Sequence, residues 1–449
     1  MDRRHQTWAT SERLVPRRFV RPFVRFTQIE ASSGIVLLLA AIAAVVWANS
    51  TFSDTYFQVL DTHLTIRFGP FDLDESLHHL INDGLMAIFF FVVGLEVKRE
   101  LVLGDLRDPK SAAFPVMAAL GGMIVPAAVY VILTAGVGGE AIRGWGIPMA
   151  TDIAFAVGVV ALLGTRVPSG AKLFLLALAI ADDLGAIAVI AVFYTDELEA
   201  GYLAMAIGGL VVVGVAKRVG VRALKFYVPL AFVIWFFTLE SGVHATLAGV
   251  ALGFLTPARP MYQASEFDRR ARAILDEYPE EPESLRAQEH ADYEALLLSE
   301  IATEAVSPLS RVEHRLQFWS SFLVVPLFAL ANAGVDFRGS DMGEALTSSV
   351  ALGVALGLVI GKTVGISLFA YAAVRFGLGR LPAGTGWAHV IGLAAVAGIG
   401  FTVSLFVAGL AFNDPDTIDL AKVGIFAGSL GAGALGAFIL YRAKAPVPP

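Results

Sequence analysis

Residues Leu175 to Tyr194 read LLALAIADDLGAIAVIAVFY, a run that is apolar except for one adjacent acidic pair, Asp182 and Asp183. A stretch of this length crosses the hydrocarbon core of a bilayer as a helix. Inside hydrocarbon only helices and closed barrels satisfy their own backbone groups. By insertion scales, an aspartate at the centre of such a helix costs roughly 2.5–3.5 kcal/mol. Folding does not require the pair, so its presence points to a use.

The rest of the chain agrees with that solvent. It has 449 residues, 56% hydrophobic and 16% charged, with mean hydropathy +0.68, which is more apolar than a soluble domain. Stretches suited to spanning fall near 31–50, 80–97, 112–136, 145–164, 172–194 and 201–216, then near 226–241, 243–257, 317–334, 346–371, 386–411 and 421–441. The expected fold is therefore an all-α polytopic membrane protein of about twelve transmembrane helices. An even number of spans puts both ends on one side. With the N-terminus inside, the inner segments carry 28 of the 33 Lys and Arg, so both termini are expected to be cytoplasmic by the positive-inside rule. Residues 1–30 are basic but lack an apolar core, so no cleavable signal peptide is expected. Without cysteine, disulfides, thiolate metal sites and cysteine nucleophiles are excluded. Nothing points to nucleic acid; the expected partners are the lipid bilayer and small ions.

The net charge of −7 is local. Residues 258–316 hold 13 acidic and 7 basic residues, and the remainder is close to neutral. This gives a basic cytoplasmic arm (1–30), a transmembrane domain (31–441) interrupted by an outer loop (51–79) and an acidic cytoplasmic insert (258–316), and a tail (442–449). In the outer loop, Leu64, Ile66 and Phe68 alternate with polar residues, Gly69-Pro70 offers a turn, and Phe71 and Leu73 alternate again. That pattern reads as a short periplasmic β-hairpin; a loop folded over the helix ends fits as well. An isolated hairpin is marginal, which makes pairing with a second copy reasonable. The insert opens with a flexible or helical part containing Pro279-Glu280-Glu281-Pro282. From Ser307-Pro308, Leu309, Val312 and Leu316 fall at helical spacing, as in an amphipathic helix on the inner surface.

Two spans look interrupted. The stretch near 145–164 contains Pro148 followed by Thr151 and Asp152, and that near 386–411 contains Gly398, Gly400 and Thr402. Such breaks are tolerated at membrane depth where they line protein or a wet cavity, and Pro148, Gly398 and Gly400 are the expected hinges. Each interrupted span is the middle of a three-span group, 112–194 and 346–441, and the two groups start on opposite sides. That is the pattern of an inverted repeat with discontinuous helices around a midplane site; close packing through small residues is the plainer reading of either cluster alone.

Four ionisable groups lie at membrane depth: Asp152, Asp182, Asp183 and Lys362. Adjacent helical residues point about 100° apart, so Asp182 and Asp183 cannot serve one ligand equally. Carboxylate and freed carbonyl oxygens suit a hard cation, here a small alkali ion or a proton. Lys362 is either a structural counter-ion or a group that titrates as a cation enters, and a static network of all four groups is the competing reading. Glu96 and Glu100, with Lys98 and Arg99 between them, form either an acidic mouth at the inner end of a span or an ordinary solvated helix end. Histidine as a residue type titrates near neutrality, but His244 lies alone, as packing histidines do; Asp83, His78, His79 and His389 read as structural.

On the stretches FFFVVGLEVKREL, PMATDIAFAVGVVALLG, LALAIADDLGAIAVIAVFYT, SGVHATLAGVALGFL, PLFALANAGV, GKTVGI and GIGFTVSLFVAGLAF, the sequence resembles the NhaA family of bacterial sodium/proton antiporters, from about residue 30 to 441. The resemblance implies twelve helices with an inverted repeat and two crossed, broken helices. It implies that Asp182 and Asp183 bind Na+ or Li+ in exchange for protons, with Asp183 the central ligand, and that Thr151 and Asp152 assist and compensate helix dipoles. Lys362 would pair with Asp182 and compensate the other broken helix. Glu96, Arg99 and Glu100 match a cytoplasmic pH-sensing cluster, and His244 a histidine linked to pH response. It also implies electrogenic, alkaline-activated exchange for sodium and pH homeostasis, no cofactor, location in the bacterial inner membrane, and a homodimer joined by the hairpin. The longer insert and extended arm depart from the family pattern. An intramembrane aspartyl protease would need two buried aspartates but no buried lysine, and its GxGD-type motif is missing. A passive channel would favour an open pore over broken helices around one site.

Overall fold

The computed structural model describes residues 32–68, 71–195, 198–278, 284–338 and 342–443. The basic arm, the Gly69-Pro70 turn, the Pro279–Pro282 stretch and the end of the tail lie outside them. Six helices among the described residues are long and apolar enough to span a bilayer: Leu77–Val102, Pro109–Thr134, Ser169–Phe193, Ala200–Val219, Ser349–Arg375 and Pro415–Arg442. Three bent pairs bring the number to as many as nine: Ser32–Ala48 with Ser53–Leu60 (115°), Gly139–Met149 with Ile153–Arg166 (42°), and Trp387–Val396 with Phe401–Ala411 (48°). The other expected stretches are helical but short or divided. They are Leu224–Glu240, Thr246–Leu255, and a run in which Pro308–Trp319 passes through a π-helical turn, Ser320–Val324, into Val325–Asn332.

These helices are apolar on nearly every side, so what faces outward is apolar too. On Ala200–Val219 the exposed side chains include Met205, Ile207, Val211, Val212, Val215 and Val219. On Ser32–Ala48 they include Leu38, Leu39, Ile42 and Val46. Faces of this kind are unfavourable in water and neutral against lipid tails.

Because hydrocarbon supplies no hydrophobic drive between helices, close contact depends on small residues. Gly357, Gly361 and Gly365 recur every four residues on one face of Ser349–Arg375. A Cβ on Gly365 would fall 2.1 Å from the Gly121 carbonyl, and one on Gly361 would fall 2.6 Å from the Pro126 Cα. The lysine-bearing helix is thus pressed against Pro109–Thr134. Gly249 and Gly253 seat Thr246–Leu255 against Leu77–Val102 in the same way, a Cβ on Gly249 falling 2.2 Å from the Ala87 carbonyl.

The expected hairpin forms: His63–Phe68 pairs antiparallel with Phe71–Ser76, with His63 opposite Ser76 and Phe68 opposite Phe71. In the insert, Ala264–Glu277 and Leu285–Glu304 pack as a helical pair, and Arg222 reaches Glu304 at 2.9 Å. The three-element groups share an order, long helix, broken span, long helix, and their breaks meet at the centre of the molecule.

Candidate ion site at the crossing of two broken spans

The first break begins with Pro148, the next-to-last residue of the 3-10 helix Gly139–Met149. The chain is extended at Ala150 and Asp152 and resumes as the helix Ile153–Leu163. Pro148 fills the notch left by Gly357, where a Cβ would fall 2.7 Å from its ring. The second break, residues 397–400, contains Gly398 and Gly400. Both are needed for room: a Cβ on Gly398 would lie 2.2 Å from the Leu358 carbonyl, and one on Gly400 2.2 Å from Ser404 Oγ. Gly400 has right-handed helical dihedrals, so its role is close approach. Gly398 and Gly400, two of the expected hinge residues, thus lie at the 48° bend and also let the neighbouring chains approach closely there.

Asp152 joins the breaks. Its amide donates to the Ile399 carbonyl at 2.6 Å. Its Oδ1 accepts from the Phe155 amide at 3.1 Å, while its Oδ2 accepts from the Thr402 amide at 3.1 Å and hydroxyl at 2.6 Å. Asp152 therefore caps Ile153–Leu163 while also accepting an orphan N–H near the start of Phe401–Ala411. Two positive helix N-termini meet one carboxylate, the complement the helix dipole favours. A further bond, Ser404 Oγ to the Ile147 carbonyl at 2.8 Å, ties the second break to the first.

The opposite helix ends are served from the lysine side. Thr151 Oγ1 lies 2.7 Å from both Asp182 Oδ2 and the Ala397 carbonyl, so its single proton is shared between two acceptors, and it accepts from Lys362 Nζ at 3.0 Å. Lys362 pairs with Asp182 Oδ2 at 2.5 Å, and the two side chains are 0% and 2% exposed. Lys362 follows directly on the π-helical turn Gly357–Gly361, a local widening often found at functional sites.

Asp182 and Asp183 diverge as helix geometry requires. Asp182 spends Oδ2 on Lys362 and Thr151, and its buried Oδ1 has no hydrogen-bond partner. Asp183, also buried, has no ion pair or side-chain hydrogen bond among the described residues. It feels the like charges of Asp182, Glu96 and Asp152 and the opposite charge of Lys362. The four groups thus form no single network. Asp152 and Thr402 make one web, Asp182, Thr151 and Lys362 another, and Asp183 stands outside both. Three carboxylate oxygens without a donor make a hard, oxygen-only environment suited to a proton or an alkali cation. Among the described residues no group of three or more His, Asp or Glu side chains is arranged to hold a metal ion.

The Val102 end of Leu77–Val102 forms a second polar region. Arg99 pairs at 2.5 Å with Glu313, which lies on Pro308–Trp319 and was not singled out in the sequence. One acidic residue within the charged stretch RVEHR carries no local signal of a partner 214 positions away. Burial pushes the Glu313 carboxyl above its usual value, and Arg99 offsets part of that rise. Glu96 lies near this pair, while the Glu100 carboxylate curls over Gly104, 2.3 Å from where a Cβ would be. Lys98 donates to the carbonyls of Phe254, at 2.7 Å, and Thr256, closing the end of Thr246–Leu255. His244 is placed at the other end of that helix and bonds to the Tyr194 carbonyl. The structure thus groups Glu96 and Arg99 with Glu313 and leaves His244 about 15 Å away, the length of ten helical residues.

Residues 24–440 match the family described as Na+/H+ antiporter 1. The chain is 46% identical to the Na(+)/H(+) antiporter NhaA of Koribacter versatilis over 427 residues, 95% of this chain and 92% of that one. It is 46% identical to that of Rhodopirellula baltica, covering 94% of each chain, and to Na(+)/H(+) antiporter NhaA 2 of Syntrophotalea carbinolica, covering 95% and 97%.

Proposed function

The chain belongs to this Na+/H+ antiporter family, and from that premise we propose that Asp183, with the free oxygen of Asp182, binds Na+ or protons by turns. The protein is a transporter rather than an enzyme, and the ions it moves are Na+ and H+. The observation that carries the site is Asp183 itself: buried, unpartnered, and beside a second carboxylate whose remaining oxygen is also free.

A carboxylate pair that holds Na+ or a proton, never both, couples the two flows by competition. From the inside, Na+ displaces protons; from the outside, protons neutralise the carboxylates and release Na+. Lys362 keeps Asp182 from carrying a lone buried charge, and Thr151 hands hydrogen bonds between that pair and the second break. Asp152 holds the two positive helix ends together while the breaks shift the opening from one face to the other. On this reading the full fold has twelve spans with an inverted repeat, both termini cytoplasmic, in the bacterial inner membrane. Li+ is an alternative cargo. Exchange is electrogenic and rises at alkaline pH through Glu96, Arg99, Glu100 and His244, serving sodium and pH homeostasis. The hairpin His63–Phe68 with Phe71–Ser76 joins two copies.

The test uses the purified protein in liposomes with an acid interior and a pH-sensitive dye. Na+ or Li+ added outside is expected to relieve quenching, K+ is not, and Asp183→Asn is expected to abolish the response while the variant still folds. Normal Na+-driven dequenching by Asp183→Asn would overturn the site assignment.

A further inference from the structure

Beneath the inner mouth lies a groove of about 480 Å3 between the end of Leu77–Val102 and the helix Pro308–Trp319. Its lining includes Arg99, Arg311, Glu313, His314, Arg315 and Val306. Arg99 and Glu313 neutralise each other at 2.5 Å. Arg311 and Arg315 do not: among the described residues neither side chain has an ion pair or hydrogen bond. They stand four residues apart, hence on one face of the helix, with His314 beside them. Two unpaired guanidinium groups in a concave site are an anion receptor. Their planar donor forks match the oxygens of a phosphate group, and the nearby start of the helix, at Pro308, adds a favourable dipole.

The surroundings say where such a phosphate would come from. Pro308–Trp319 runs directly into the apolar stretch Ser320–Asn332. Trp319, 55% exposed, sits where the polar helix gives way to that stretch, as tryptophans do at headgroup level. Val306, 45% exposed, gives the groove an apolar wall. We propose that this groove binds a phosphate-bearing anion, an anionic phospholipid headgroup at the inner leaflet, through Arg311 and Arg315. The occupant would press on the helix that carries Glu313 and so report membrane charge to the inner mouth. Binding here is independent of the exchange chemistry.

The test counts bound lipid by native mass spectrometry on the full-length protein in micelles supplied with phosphatidylglycerol or phosphatidylcholine, with inorganic phosphate as competitor. Each arginine near an anionic headgroup is worth about a fivefold change in affinity. Arg311→Gln with Arg315→Gln is therefore expected to weaken phosphatidylglycerol binding about thirtyfold, and the exposed single change Arg315→Gln about fivefold. The lysine pair, Arg311→Lys with Arg315→Lys, is expected to restore most of it, and phosphatidylcholine is expected not to bind. Competition by millimolar inorganic phosphate would support a site for the phosphate group itself, and absence of competition a site that also needs the lipid. Wild-type retention of phosphatidylglycerol by both glutamine variants would overturn the proposal, as would equal binding of phosphatidylcholine.

Discussion

At the crossing of the two broken spans, Lys362 and Asp182 are 0% and 2% exposed, whereas at the proposed inner mouth a 42% exposed Arg99 meets a buried Glu313. Both regions pair an acid with a base at 2.5 Å, yet the surroundings make them different devices. At the crossing both partners are buried, so removing one leaves an uncompensated charge away from the surface. At the mouth solvent reaches one partner, so the pair can form and dissolve with pH at little cost.

Removing one partner at the crossing should have the largest effect. Lys362→Met leaves Asp182 buried beside Thr151 with no counter-charge, a change that typically costs about 3–5 kcal/mol. A large fall in the thermal midpoint of the purified protein is expected. Adding Asp182→Asn should recover most of it, because the charge is then gone too. Equal instability in single and double variants would mean that packing, and not charge, dominates there.

Asp152→Asn comes next. An amide supplies one acceptor oxygen where the carboxylate supplies two, so either the Phe155 amide or the Thr402 pair loses its partner. An unsatisfied buried donor costs about 1–3 kcal/mol. The variant should be less stable and should exchange with weaker apparent Na+ affinity. An unchanged thermal midpoint would show that the joint between the breaks does not depend on this charge. Ser404→Ala removes a single bond to the Ile147 carbonyl and should cost about 1 kcal/mol, with exchange retained; abolished exchange would place Ser404 among the moving parts.

The two regions also differed in how plainly the sequence announced them. Asp152, Asp182, Asp183 and Lys362 are anomalies in apolar runs, so each stood out before any contact was known. What the sequence did not carry was which of them meet: Lys362 and Asp182 are 180 positions apart, and only the geometry separates Asp152 and Thr402 from the lysine web. Glu313 was hidden for the opposite reason, being an ordinary charge in a charged segment. The spans were legible where apolar runs are long, as at Pro109–Thr134. They were less so where a ten-residue helix such as Thr246–Leu255, closed off by Lys98, stands in an expected span.

Glu313→Gln makes the smallest change in stability and the most diagnostic one. The folded protein holds the Glu313 carboxyl above its usual value, chiefly by burial. An acid raised in this way favours the folded state while protonated and loses that contribution as pH rises through its titration. Wild-type stability should therefore fall relative to Glu313→Gln as pH climbs from the ordinary glutamate range through the raised one. In the same interval Glu313 ionises and its charged pair with Arg99 forms, in the company of Glu96 and His314. Glutamine holds the site in its acid-side form at every pH. If charging of this pair helps open the inner mouth, the half-activation pH of Na+ exchange should move to the alkaline side in Glu313→Gln, with the maximal rate preserved. An unchanged half-activation pH, with the stability difference present, would confine the pair to holding Pro308–Trp319 in place.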